Sequence, residues 1–386
     1  MELKNRLYQI VDEKMPIFQE VRDYIYDHPE LGNREFISSQ YLVGKMRALG
    51  FEVTYPYGGL ETAFRAEFKN GDGPKVCFMA EYDALPGYGE NGEDNAHACG
   101  HNWIAASTLG AAVTLAEMKD AFSGTVVLIG TPAEETTGGK CDLVNHGCFD
   151  DIDAAMQMHL GSDNAIDIIS LAMDSVEFNF FGKAAHAAGA PDQGINALDA
   201  VQLTFAGINA LRQHIKSDAR VHGIVTKGGT AVNTVPDRAS CQFYIRAKTR
   251  AYVEELTEKI INCAKGACLM TGATLEHHFF ENSYDDLVYH ANLKKMLRAN
   301  LEDLGITEFR PASLEASGST DVGNVSHRCP TAYCEIDVEA DEPAFAHDIK
   351  FLNYVHGSKA DKTLNIATKA MAYTALQIFL NPEVLK

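Results

Sequence analysis

The sequence predicts an α/β protein of two domains, the second inserted into the first. Three observations carry that expectation. The chain has 386 residues, beyond the roughly 250 to 300 at which one hydrophobic core stops growing. Strand-like apolar runs alternate with helical periodicity, and one of them, TVVLIG at 125–130, is apolar throughout, as a strand covered on both faces of a sheet requires. Between 172 and 285 the texture changes to a βαββαβ order, which makes a two-layer unit with helices on one face.

Leu7, Ile10, Val11, Met15, Phe18, Val21 and Ile25 recur at helical spacing, giving a helix over 3–27. Pro29 disfavours helix at His28, and Gly32 suits the turn that follows. A second helix is expected over 38–49, with Gly50 as its C-terminal cap. Residues 51–55, 62–68 and 75–80 read as strands, 103–118 as an Ala-rich helix, 125–130 as the buried strand, and 153–159 as a weaker strand ending on a histidine. In the insertion, strands are expected at 174–182, 219–227, 238–248 and 274–281, and helices at 197–214 and 251–270. Helices at 291–304 and 364–379 and a strand at 331–336 return the chain to the first domain. The expected division is therefore 1–171 with 286–386, and 172–285. No internal repeat or low-complexity segment interrupts it.

Acidic residues number 53 against 33 basic, a net charge of -20, and no Lys/Arg run exceeds two. A phosphate backbone or an anionic membrane is thereby excluded as a partner. The 9 cysteines are an odd number in no paired pattern. The N-terminus lacks an apolar signal core, and no window offers the ~18 apolar residues of a membrane span. The expectation is a reduced, cytoplasmic protein.

The chemistry concentrates in 79–103, MAEYDALPGYGENGEDNAHACGHNW. A strand opens into an acidic, Gly-rich loop that ends in Cys99-Gly-His101, directly before an apolar helix. Thiolate and imidazole bind borderline-soft divalent ions well, and this spacing lets both point into one cavity. The strand at 125–130 ends in Glu134 and Glu135. Adjacent carboxylates in extended backbone face opposite ways, so one suits a metal and the other proton transfer. Three strands thus end in metal-capable or acidic groups, at Glu81/Asp83, Glu134/Glu135 and His159, and strand ends are where open α/β sheets bind ligands. Taken singly, each stretch is also compatible with an ordinary turn.

Together these stretches resemble the M20 zinc peptidase and amidohydrolase family, in its aminoacylase-like branch with a Cys-Gly-His motif. The resemblance runs through HPELGNREF (28–36), EYDALP (81–86), HACGHN (97–102), GTPAEETTGGK (130–140), MQMH (156–159), AAHAAGAPDQGINALDAV (184–201), GGTAVNTVPDRA (228–239), SGSTDVGNVS (317–326) and AFAHD (344–348). It implies a zinc-peptidase-like catalytic domain carrying a ferredoxin-like lid and dimerisation domain. It also implies two divalent ions, Zn, Mn or Co, held by Cys99, His101, Glu135, His159 and His347, with Cys99 between them. Glu134 matches the general base. His186 matches a histidine that reaches the partner subunit's site in a homodimer and steadies an oxyanion. Asn233 and Gly318 lie in motifs that approach the substrate carboxylate. The implied reaction is hydrolysis of the amide bond of an N-acyl amino acid, an aminobenzoyl-glutamate-like compound or a dipeptide.

Two positions depart from the branch. Asn102 stands where many members carry Asp, which leaves the surroundings of His101 less negative, and Trp103 is bulky for a residue beside a metal, which bears on substrate size. Two other functions stay open at this level, an inactive relative that binds a small molecule and an amidase with Cys99 as nucleophile. His28, His97, His146, His327 and His356 compete for ligand positions, and Cys141 and Cys148 read as packing residues.

Overall fold

The computed structural model describes residues 1–311 and 318–386. In chain order the elements are helices α1 (Glu2–Tyr26) and α2 (Phe36–Ala48), strands β1 (Glu52–Thr54), β2 (Phe64–Asn70), β3 (Lys75–Ala80), β4 (Leu85–Tyr88) and β5 (Asp94–Ala96), and helix α3 (His101–Glu117). Then come β6 (Gly124–Gly130), α4 (Gly139–Asn145), β7 (Ala154–Gly161), β8 (Ala172–Phe181), α5 (Ala197–Leu211), β9 (Arg220–Lys227), β10 (Arg238–Ala247), α6 (Arg250–Thr271) and β11 (Thr274–His278). The chain closes with α7 (Ala291–Asp303), α8 (Val322–Ser326), β12 (Thr331–Asp337) and α9 (Gly357–Leu380). It divides into two units, Met1–Ile168 with Leu287–Leu314 and Thr320–Lys386, and Ile169–Asp286 with Glu315–Ser319. Ser317, the first residue of the SGSTDVGNVS stretch, lies outside the described residues.

The first unit is built on a six-stranded sheet in the order β1-β2-β6-β3-β7-β12. Strands β6, β3, β7 and β12 run parallel, whereas β2 is antiparallel to β6 and β1 to β2. Alternation along the central strands divides two cores. Val76, Phe78, Val126, Leu128, Met156 and Met158 join the helices of one face. Cys77, Met79, Val127, Ile129 and Ala155 join Leu143, Val322 and Val325 on the other. Helix α3 is buried from His101 to Leu115, which accounts for its lack of an amphipathic stripe. Helix α1 continues through Pro16, because that residue is exposed and the bond it forgoes falls on the watered side.

Helix α9 begins seven residues earlier than expected, α4 and α8 are additions, and two further changes lie beside the strand ends. Strand β7 runs two residues past His159 to Gly161, since Leu160 and Gly161 pair with Ile336 and Asp337 of β12. The acidic loop after β3 folds into the β4–β5 hairpin, which its Pro, Gly and mostly polar residues do not announce.

The second unit is a four-stranded antiparallel sheet, β11-β8-β10-β9, carrying α5 and α6 in a ferredoxin-like βαββαβ order. Its own core includes Val176, Phe178, Phe180, Phe243, Leu256 and Ile260. Asn196 and Thr249 cap the two helices, accepting bonds from Leu198 N–H and Tyr252 N–H. The edge strand β9 exposes Ile224 and Val225. Among the described residues no helix is long and apolar enough to cross a membrane.

Candidate metal centre

Because β6, β3 and β7 are neighbours and parallel, the segments that follow them leave the same edge of the sheet. Glu81 and Asp83 follow β3, Glu134 and Glu135 follow β6, and His159 lies near the end of β7. Gly100, at φ +81, turns the chain into α3, so His101 is the first residue of that helix. Cys99 and His347 arrive from loops, and the His347 N–H donates to the Ala98 carbonyl at 2.9 Å.

All five side chains matched to metal ligands converge. Cys99, His101 and His159 have ligand atoms within 4.8 Å of one another, as do Cys99, Glu135 and His347. Cys99 belongs to both groups. Its Sγ lies 3.5 Å from His159 Nε2, and His347 Nε2 lies 2.9 Å from Glu135 Oε1. Glu134 joins His101 and Glu135 in a third such group, so distance alone does not separate base from ligand.

The histidine tautomers follow from their outer bonds. His101 Nδ1 donates to Asp83 Oδ1 at 2.7 Å, and His159 Nδ1 to the Leu160 carbonyl at 2.6 Å. Each ring therefore turns Nε2 inward; burial keeps His159 neutral, whereas His101, charged beside Asp83 despite its burial, would give up its Nε2 proton to a cation. His101 Nε2 is buried and makes no aligned hydrogen bond. Inward lone pairs on nitrogen, sulfur and carboxylate oxygen form a donor set that fits two first-row divalent ions.

Among the protein groups alone, the adjacent glutamates are driven apart. Burial, then Glu135, Glu81 and Asp321, raises Glu134 well above the usual carboxylate range. Burial acts on Glu135 too, but the hydrogen bond from His347 and the charge of His101 hold it at about 2. Burial and Glu135 raise the Cys99 thiol, so a cation is needed to favour its thiolate.

Lys140 and Asp321 escaped the sequence reading, as did the partners of Glu81 and Asp83. Lys140 is fully buried, and its ammonium pairs with Glu81 and, at 2.7 Å, with Asp321 Oδ1. The Asp321 Oδ2 atom accepts the Lys140 backbone N–H at 2.9 Å. Asp83 bonds both His101 and the Glu135 backbone N–H, at 2.9 Å for the latter. Glu134 and Glu135 lie in a turn with Ala133 at φ +62, not in extended backbone. Their different roles thus rest on surroundings, not on strand alternation.

Residues 77–376 match the sequence profile of peptidase family M20/M25/M40. The chain belongs to this family. It is 34% identical to the Xaa-Arg dipeptidase of Mus musculus over 402 residues, covering 100% of this chain and 90% of the relative. It is 29% identical to a p-aminobenzoyl-glutamate hydrolase subunit of Escherichia coli (strain K12), covering 98% and 93%. In fold it is similar to a putative aminohydrolase from methicillin-resistant Staphylococcus aureus, with TM-score 0.81, 23% identity and coverage of 97% and 100%. A dinuclear metal binding peptidase of family M20 from Bacillus subtilis aligns with TM-score 0.72, 22% identity and coverage of 96% and 99%. This M20 protein is a hydrolase acting on amide bonds.

In the M20 hydrolase the two departing positions act differently from expectation. Asn102 turns away from the cluster, its Nδ2 donating to the Val355 and Arg22 carbonyls at 2.8 and 3.3 Å. Asp83 supplies the negative charge beside His101 instead. Trp103 is wholly buried in the main core, so it does not narrow the site. His28 and His356 stack on Tyr24 and Tyr26, and His146 Nδ1 bonds the Asp142 carbonyl. Cys141 and Cys148 are buried, and Cys148 joins the core on the α4 side of the sheet.

The remaining candidates lie in the second unit. His186 is exposed, and its Nδ1 accepts from the Ala188 and Gly189 N–H groups at 3.3 and 3.0 Å. That leaves Nε2 as the protonated, donating nitrogen. Asn233 lies beside it, its carbonyl accepting the Ala187 N–H at 3.0 Å. Gly318, at φ +150, accepts the Leu171 N–H at 2.9 Å.

Proposed function

We propose that the protein is a metal-dependent hydrolase of dipeptides and N-acyl amino acids, with two divalent ions held by Cys99, His101, Glu135, His159 and His347. The observation that carries this reading is the convergence of those five side chains around a shared Cys99, with Glu134 beside them. Two bound ions would polarise the amide carbonyl and lower the pKa of the attacking water. Burial and the neighbouring Glu135, Glu81 and Asp321 raise the proton affinity of Glu134, so its carboxylate, favoured once cations are bound, would take a proton from that water. The proton then goes to the departing amine, which leaves as the C–N bond breaks. Glu135, anchored at its backbone by Asp83 and at its side chain by His347, stays a ligand.

His186 is proposed to donate from Nε2 to the oxyanion in the partner subunit of a homodimer, with Asn233 and Gly318 near the substrate carboxylate. Relatives named for Xaa-Arg dipeptides and for p-aminobenzoyl-glutamate point to opposite charges on the released amino acid. A cleft of about 420 Å³ is lined by Asp163, Asp337, Glu339, Asp341 and Glu342, between residues that follow β7 and those that precede His347. Four of these acids already pair with Arg310, Lys362, Lys359 and Lys350. The residual charge is still negative, which supports basic or neutral residues over glutamate.

A screen of Xaa-Arg dipeptides, N-acyl amino acids and aminobenzoyl-glutamate, run with Zn, Mn and Co, tests the reading. Turnover is expected with at least one metal and ranks Xaa-Arg ahead of aminobenzoyl-glutamate. No turnover in any combination, from protein that binds metal, leaves a binding protein instead. In the same assay, mixing inactive His186→Ala with inactive Glu134→Gln is expected to restore activity through hybrid dimers. Absence of recovery after verified subunit exchange removes His186 from the partner's site.

A further inference from the structure

The HPELGNREF stretch between α1 and α2 carries none of the proposed ligands, yet its residues close on the turn that presents Glu134 and Glu135. Helix α2 begins after Glu35, whose side chain does not cap it. Glu30 takes that task, its carboxylate accepting Ile37 N–H at 3.0 Å and Ser38 N–H at 2.9 Å. The Glu35 carboxylate reaches instead across the fold, where Oε1 accepts the Ala133 N–H at 2.8 Å and Oε2 accepts the Thr62 hydroxyl at 2.9 Å. Ala133 is the residue at φ +62, a conformation that L side chains rarely adopt. Two other contacts press on the same turn. Asn33 Nδ2 donates to Thr137 Oγ1 at 3.0 Å, and a Cβ on Gly32 would come within 2.2 Å of Thr136 Oγ1 and 2.9 Å of Ala133 Cα.

We propose that Glu35 is a positioning residue, which holds Ala133 in the left-handed conformation and so aims Glu134 and Glu135 at the metal centre. Glu35 is wholly buried, and both its oxygens are committed to these bonds. A left-handed alanine is strained and persists only where its surroundings over-determine it. Without the acceptor at Glu35, the turn relaxes and both carboxylates shift together. The inference rests on the roles assigned above to Glu134 and Glu135.

Burial, reinforced by Asp83, pushes the Glu35 carboxyl up to about 7, so a neutral acceptor of the same shape is a fair replacement. The test compares Glu35→Gln, which keeps the acceptor, with Glu35→Met, which fills the volume without one. Glu35→Asp keeps the charge but is one methylene too short, and serves if the Met variant does not fold. Glu30→Ala is the control for damage to the same segment, since it removes only the cap on α2. The readouts are kcat and KM on the best substrate, and Co(II) affinity by optical titration. Glu35→Met and Glu35→Asp are expected to lose ~10 to 10² in kcat with KM within about threefold, and ~10-fold or more in Co(II) affinity. Glu35→Gln and Glu30→Ala are expected to stay within about threefold of the unaltered protein. Folded Glu35→Met or Glu35→Asp with unchanged kcat and Co(II) affinity overturns the proposal, and so does a Glu35→Gln as impaired as Glu35→Met. If the unaltered protein hydrolyses no amide, the proposed function fails, while Co(II) affinity still decides the role of Glu35.

Discussion

Glu134→Gln is expected to bind two metal ions and to lose at least ~10² in kcat. The expectation comes from the split between two adjacent carboxylates. Glu135 is fixed at three points, by His347 at its side chain, by Asp83 at its backbone and by the turn that follows Ala133. Burial, with Glu135, Glu81 and Asp321 nearby, raises the proton affinity of Glu134. Paired groups driven apart in this way divide acid–base work from charge stabilisation. The glutamine variant keeps the shape but cannot cycle a proton. Kinetics on the best substrate, together with elemental analysis of the same sample, check both halves. Loss of one metal equivalent would make Glu134 a ligand, as its place in the His101/Glu134/Glu135 group permits. Turnover within threefold of the unaltered protein would remove it from the mechanism.

Lys140→Met is expected to destabilise the first unit by about 3–5 kcal/mol, the usual cost of removing one partner from a buried ion pair. Lys140, Glu81 and Asp321 are all within 1% of complete burial. The ammonium is the cation on which both carboxylates converge, and Asp321 uses its other oxygen on the Lys140 backbone. Removing the charge leaves Glu81 with His101, at 3.4 Å, and the more distant His159, and strips Asp321 of the Lys140 ammonium. Burial already pushes Asp321 upward, so the cost is met partly by proton uptake. Urea denaturation of metal-free protein measures the loss. A change under ~1 kcal/mol would mean that water or rearrangement reaches the triad.

Of the proposed ligands, Cys99, His101, Glu135 and His159 stood out in the sequence because they lie in short motifs or near strand ends, whereas His347 came only from the family resemblance. Cys99 and His101 are two residues apart, and Glu134 and Glu135 follow a strand whose apolar run leaves no doubt of its burial. The surrounding network was not readable. Lys140 meets partners 59 and 181 positions away, and only the folded sheet brings Glu81, Lys140 and Asp321 together. Asn102 misled because sequence adjacency to His101 suggests a shared environment. At the start of a helix, consecutive side chains point about 100° apart, and Asn102 reaches the Val355 carbonyl while His101 faces Asp83. The β4–β5 hairpin was invisible for a different reason, since LPGY and DNA lack the alternation that marks a strand.

The central claim, that two ions bound through Cys99 carry amide hydrolysis, is tested most directly by titrating chelator-stripped protein with Co(II) while following the hydrolysis rate and the thiolate-to-cobalt absorbance. The stripped protein is expected to be inactive and to recover as two equivalents bind. The thiolate band should grow in the unaltered protein and be missing from Cys99→Ser. A stripped protein that hydrolyses the substrate at full rate would contradict the claim and leave Cys99 as the nucleophile.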